Sequence, residues 1–168
     1  TIDGNFLGTS GLGWVRYTFA NSGALTGITS SATTATATLS IQTNDFRGIV
    51  HTTNGTNAHT YITNTSVCLS QNISSNTFTN LSVNTSGSVT FISNSVSAPS
   101  GGSKTINSNS IATAFNKGVA GGTVTLYTDG GSSLATARIT NNNNNFSNIT
   151  VTGATTVAGW NNTDGTGA

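Results

Sequence analysis

Charged residues make up only 5% of this 168-residue chain. Glutamate and methionine are absent, Pro99 is the only proline and Cys68 the only cysteine. Each shortage excludes something. The five basic residues, Arg16, Arg47, Lys104, Lys117 and Arg138, are scattered and the formal net charge is +1, so no basic patch speaks for nucleic acid. A lone cysteine forms no internal disulfide. No apolar run approaches the ~18–20 residues of a membrane-spanning helix. No window joins a helical hydrophobic period to helix caps. A near-neutral, charge-poor surface favours self-association. No signal peptide is visible and the chain opens inside its own repeat, so a mature product or a fragment is expected.

Thr, Ser, Asn, Gly and Ala fill most positions. Such a composition suits a disordered tract, but Val, Ile, Leu and Phe recur in register, which a disordered tract does not need. Thr, Val, Ile and Phe also favour strands. One phrase recurs: Ile73-Ser-Ser-Asn76-Thr-Phe78, Ile41-Gln-Thr-Asn44-Asp-Phe46 and a weaker Ile106-Asn-Ser-Asn109-Ser-Ile111. Ile139-Thr-Asn-Asn142 reads as a further copy, with Phe146 delayed by a two-residue insertion, and Ile2-Asp-Gly-Asn5-Phe6 as a shorter one. The leading isoleucines are 39, 32, 33 and 33 residues apart. Repeats of this size mark a solenoid.

Between the phrases lie short strands and turns. Trp14–Phe19 alternates large and small residues after a Gly-rich turn at 8–13, and residues 24–31 are polar and small. Ala35–Ile41 alternates strictly with period two. Thr60–Thr63, Ser88–Ile92, Thr123–Tyr127 and Thr156–Trp160 read as one strand repeated, followed by small-residue loops such as 98–102, 128–132 and 161–165. Val67–Leu69 and Ala135–Ile139 read as third strands leading into the next phrase. The expected fold is all-β: a single parallel β-solenoid domain over residues 1–168, with about five coils of roughly 33 residues and three short strands per coil. Stacked coils place Asn5, Asn44, Asn76, Asn109 and Asn142 in an asparagine ladder, and Phe6, Phe46, Phe78, Ile111 and Phe146 in an internal stack.

The Ile-x-x-Asn-x-Phe phrase followed by a Val-Thr strand resembles the right-handed parallel β-helix repeats of pectate-lyase-like proteins. Its Ser/Thr/Asn/Gly bias is similar to the strand repeats of giant bacterial surface adhesins and filament proteins. The first resemblance implies carbohydrate cleavage by clustered carboxylates with calcium or paired acids. The chain departs from that pattern, because its only acids are Asp3, Asp45, Asp129 and Asp164. Asp129 and Asp164 both stand in Thr-Asp-Gly, 35 residues apart, and neighbouring coils could bring them together as an acid–base pair or a cation site. Asp-Gly is also a plain turn dipeptide. No Lys or Arg occupies a matching position, and the expectation is no enzyme, no catalytic residue, no metal and no cofactor.

His51 and His59, eight apart, read as residues of a solvated polar loop, without the third ligand a metal needs. Cys68 reads as a small strand residue. Tyr17, Tyr61, Tyr127 and Trp160 occupy related strand positions and either cover the solenoid wall or form a sugar-binding strip. An ice-binding solenoid is a fourth, weaker option: Thr-x-Thr occurs at Thr36–Thr38, Thr123–Thr125 and Thr150–Thr152, but the loops are long and these columns incomplete, which speaks against a flat threonine array. Bare solenoid ends expose unpaired edges, and Ile139 lies 31 residues before the next Ile if residue 1 is counted after residue 168. The expected role is therefore a structural repeat unit of an extracellular or cell-surface bacterial filament, sheath or adhesin stalk, with itself as partner. The alternatives are a module binding surface glycans or a polysaccharide lyase or hydrolase. No partnership with nucleic acid and no membrane span are expected.

Overall fold

A computed structural model describes residues 1–9 and 13–164. It is an all-β parallel solenoid of about 4 turns of about 34 residues, with three parallel sheets. The five copies of the phrase are five rungs, and five rungs enclose four turns rather than five coils. The middle of the Gly-rich turn at 8–13, residues 10–12, and the end of the loop at 161–165 lie outside the described residues.

The first sheet stacks Ile2–Asp3, Thr38–Gln42, Ser70–Ser74, Ser103–Thr105 and Arg138–Thr140. The second is built on Phe6–Leu7 with Val15–Tyr17, Asp45–His51, Thr77–Val83, Ser110–Ile111 with Phe115–Lys117, and Ile149–Val151. The third stacks Leu25–Ser30, His59–Asn64, Val89–Asn94, Thr123–Asp129 and Thr156–Asn162. Its last four strands are the repeated strand of the sequence. The first, Leu25–Ser30, hides in the polar stretch 24–31 because Gly27 interrupts its apolar pattern. A Cβ there would lie 2.4 Å from the Tyr61 carbonyl oxygen and 2.7 Å from the Phe46 ring, so only glycine fits. Val67–Leu69 is not a strand; pairing begins at Ser70.

Every turn into the second sheet shares one backbone device. The residue before each ladder asparagine is left-handed: Gly4, Thr43, Ser75, Ser108 and Asn143, with φ of 68°, 53°, 57°, 56° and 57°. A left-handed residue reverses the direction of the next side chain and turns the asparagine into the interior. The last member is thus Asn144, not Asn142. The asparagine run shifts the fifth rung by two residues. Arg138, Ile139 and Thr140 pair with Ser103, Lys104 and Thr105, so Asn141, not Ile139, lies below Ile106. The 31-residue step counted from Ile139 therefore does not start from the column that Ile2, Ile41 and Ile73 share.

The ladder itself is continuous. Each carboxamide oxygen accepts two hydrogen bonds from the preceding rung, one from the asparagine backbone N–H and one from its side chain. For Asn44 onto Asn76 these are 3.1 and 2.9 Å; for Asn76 onto Asn109, 3.1 and 2.9 Å; for Asn109 onto Asn144, 2.9 and 3.0 Å. The side-chain nitrogen also donates backwards to an isoleucine carbonyl, as Asn76 does to Ile41 at 2.9 Å. Asn44, Asn76 and Asn109 are fully buried. Burial without partners costs roughly 1–3 kcal/mol per polar group; here both atoms of the amide are satisfied.

The aromatic column differs from expectation at its start. Leu7, not Phe6, pairs with Phe46. Phe6 follows its asparagine directly, one residue too early to face inward, and instead lies exposed over the Arg47 guanidinium at 4.6 Å. Phe46 and Phe78 stack with ring centroids 5.1 Å apart, and Phe91 meets Phe78 and Phe115 edge-on at 4.9 and 5.0 Å. On the outer side of the third sheet, register aligns Thr26, Thr60, Thr90 and Thr125 in one column and Thr29, Thr63, Ser93 and Thr128 in another. The threonine columns expected to be incomplete are therefore continuous over four rungs, through residues other than most of the Thr-x-Thr pairs.

Candidate functional site

The ends of the third sheet put polar residues inside the solenoid at two corners. At the corner with the first sheet, Ser30, Asn64, Asn94, Asp129 and Asn162 form one inward column. Across from it run Gln71 and Lys104. Asn64 donates to Gln71 at 3.2 Å and to Asn94 at 2.9 Å, a second, shorter amide chain that no phrase in the sequence announces.

Lys104 completes this corner and changes the reading of the acids. Its Nζ donates to Asp129 Oδ1 at 2.8 Å, Asp164 Oδ2 at 2.6 Å and the Gly130 carbonyl at 3.2 Å. The side chain of Lys104 is 0% exposed and those of both acids 1%. Asp129 and Asp164 do come together on neighbouring coils, as their spacing allows, but not in register: Asp129 pairs with Asn162. The expectation that no basic residue matches them fails, because Lys104 reaches them from the opposite sheet. Asp164 is further held by the Ser133 N–H and hydroxyl, both at 2.6 Å. Burial pushes the Asp129 carboxyl above its usual range against the pull of Lys104. Burial also raises Asp164, but hydrogen bonds from Lys104 and Ser133 outweigh it and leave that carboxyl below its usual range. Two carboxyl groups sharing one ammonium, with side chains nearly closed to solvent, form an internal tie between the fourth and fifth rungs.

The opposite corner, between the second and third sheets, holds the histidines. They are not in a solvated loop. His51 ends the strand Asp45–His51, His59 begins His59–Asn64, and both are buried, at 4% and 1% exposure. Their rings lie 5.1 Å apart, with Tyr17 edge-on to His51 at 4.2 Å. The Asn57 side chain lies 2.7 Å from His59 Nε2. Neither His51 nitrogen makes a hydrogen bond of ordinary geometry. Burial lowers the pKa of both, and the neighbouring His51 helps bring His59 down to about 4. Among the described residues no group of three His, Cys, Asp or Glu side chains converges as for a metal ion.

In the next-but-one rung of the same column, Lys117 is fully buried. Its Nζ donates to the Val119 and Gly121 carbonyls, each at 2.6 Å, and burial lowers its pKa. Cys68 points inward from a loop, with Sγ 3.6 Å from the Ser66 carbonyl oxygen, and burial raises its thiol pKa, which keeps it protonated and inert. Tyr61 and Tyr127 are interior, at 0% and 1% exposure, and Tyr17 packs on the histidines, so these rings make no external strip. A shallow groove of about 450 Å³ runs along the outside of the histidine corner, lined by residues of four successive rungs including Asn21, Gly55, Ser86 and Val119.

Sequence reasoning missed Lys104, Lys117, Gln71 and the inward histidines for one reason. Charged and polar residues in short strands are read as outward, and only register shows that they occupy columns held by Leu39 or Val83 on other rungs. Among the described residues no helix is long and apolar enough to cross a membrane. No protein-family model, no curated protein and no solved structure matches this chain.

Proposed function

We propose that the chain is a structural repeat unit of an extracellular bacterial filament, sheath or adhesin stalk, and that its coils stack end to end on a further rung of the same kind. One observation carries this. The inward residues of the fifth rung, Ile139, Val157 and Trp160, are 45%, 46% and 45% exposed, whereas their register partners Lys104, Val124 and Tyr127 are 0%, 0% and 1% exposed. They occupy core columns with nothing above them among the described residues. Among the described residues, the strands Leu25–Ser30 and Thr156–Asn162 each pair on one side only. An open parallel edge over an exposed apolar end is a template for another strand. A second copy, or a further coil of the same polypeptide, buries that surface and extends the hydrogen-bonded ladders. Buried charges tied within the coil, and a surface nearly free of charge, fit a building block better than a catalyst. Placement at the cell surface or beyond belongs to the same reading. The resemblance of the Ser/Thr/Asn/Gly-rich repeats to the strand repeats of bacterial surface adhesins and filament proteins supports it.

Light scattering across a concentration series, with electron microscopy of the same samples, tests the proposal. Rod-like species that lengthen with concentration, and a Trp160→Lys variant that does not lengthen, are expected. A folded chain that stays a monodisperse monomer at the highest attainable concentration refutes self-stacking.

A further inference from the structure

The third sheet presents a regular outer face. Thr26, Thr60, Thr90 and Thr125 form one rank, and Thr29, Thr63, Ser93 and Thr128 a second; Ala158 and Asn161 end them. The strands are parallel and pair without slippage, so equivalent side chains recur about every 4.8 Å along the axis. Two residues separate the ranks on each strand, and these pairs, such as Tyr61 and Ile62, Phe91 and Ile92, and Leu126 and Tyr127, are buried inside, which fixes the backbone beneath.

Two further features set this face apart. First, its hydroxyls are free. None of these eight hydroxyls hydrogen-bonds to the described protein, whereas threonines at the turns are tied down. Thr52 and Thr65, for example, donate to the Tyr17 and Ser30 carbonyls at 3.0 and 3.2 Å. Second, the face carries no charge. Arg16, Asp45 and Arg47 lie on the second sheet, and Asp3 and Arg138 on the first. Lys104, Lys117, Asp129 and the Asp164 side chain are inside.

We propose that this outer face binds ice. Each threonine presents a methyl group and a hydroxyl on one carbon. Water beside a methyl group loses orientational freedom, and the neighbouring hydroxyl can donate to and accept from that water. The β-branch leaves few χ1 rotamers, so little side-chain entropy is lost when the array meets a surface. A charged group would keep its own tightly oriented hydration shell and break the pattern. Individual contacts are weak, but a rigid periodic array engages many sites of a periodic lattice at once, and their effects multiply. Ice is such a lattice: neutral, periodic, and made only of hydrogen-bond donors and acceptors. The inference does not rest on end-to-end stacking; stacking would only lengthen both ranks.

Thermal hysteresis and the partition of protein into slowly growing ice test it. The folded chain is expected to separate its freezing from its melting point and to enter the ice. Thr90→Lys, in the middle of one rank, is expected to lose both properties while keeping the β-sheet circular dichroism of the parent. Asn116→Lys, exposed on the second sheet, is expected to keep both. A folded parent that shows no hysteresis and is excluded from ice overturns the proposal. So does a Thr90→Lys variant as active as the parent, or equal loss in the two lysine variants.

Discussion

Asn76→Ala cuts the asparagine ladder at its centre. The Asn76 side chain makes four hydrogen bonds. It accepts from the Asn44 backbone N–H and the Asn44 side chain, and donates to the Ile41 carbonyl and to Asn109. The Asn44 side chain keeps Ile2 as an acceptor at 2.8 Å, and the Asn109 oxygen keeps the Asn76 backbone N–H. The groups left worst off are the Asn44 N–H, which has no other partner, and the Ile41 carbonyl, which loses a donor. At roughly 1–3 kcal/mol per buried orphan, the loss comes to about 4 kcal/mol. For a chain of this size that lowers Tm by about 10 °C. Asn144→Ala removes the same chemistry from the half-buried fifth rung, where water replaces the lost partners, and the expected loss is about 1 kcal/mol. Asn76→Asp separates hydrogen bonding from volume. It keeps the acceptors but sets oxygen against the Ile41 carbonyl and Asn109 Oδ1. Burial would raise the new carboxyl above its unfolded value, so this variant is more stable at low pH and loses stability as pH rises above about 4. Urea unfolding followed by circular dichroism measures all three. Equal losses for Asn76→Ala and Asn144→Ala, or a loss below about 1 kcal/mol at Asn76, would refute the claim that the ladder is buried and satisfied.

Further outcomes follow from the two corners and the turns. The His59 pKa is lowered in the fold, so its contribution is present above the unfolded value of about 6.5 and is lost as pH falls toward about 4. The loss is about 3 kcal/mol across that window, and a His59→Phe variant should show a flatter stability–pH curve there. Lys104→Ala leaves Asp129 buried without its ammonium and is expected to cost about 3–5 kcal/mol at neutral pH; with the Asp129 pKa raised, the loss shrinks in acid, which denaturation at two pH values would reveal. Ser75→Gly relieves a left-handed backbone at φ 57° and should raise stability by up to about 1 kcal/mol, with no change in the ladder. Gly27→Ala forces a Cβ against the Tyr61 carbonyl oxygen at 2.4 Å, and a lower Tm by several degrees checks it.

The Ile-to-Asn spacing and the Val-Thr strands were enough to specify a parallel solenoid, three sheets and an asparagine ladder through Asn5, Asn44, Asn76 and Asn109. A stacked coil repeats its chemistry, and a linear string records that repetition directly. The string could not say where a rung gains or loses a residue. Ile139 and Asn142 look equivalent to Ile106 and Asn109, but the left-handed residue that turns a side chain inward is Asn143, and register follows backbone conformation, not resemblance. Phe6 fails for the same reason, one position from the inward site that Leu7 takes. Whether a polar residue faces water or the core was equally hidden. His51, His59, Lys104 and Lys117 lie inward because columns fixed by hydrogen-bonded pairing carry them there; Lys104 meets Asp129 and Asp164, 25 and 60 residues away in the chain, whereas Lys117 closes on the Val119 and Gly121 carbonyls of its own turn. The outward threonine ranks of the third sheet arise the same way. The order of residues determined that coils would stack; the pairing of one coil on the next decided which side chains meet, because a shift of one residue in a strand exchanges inside for outside.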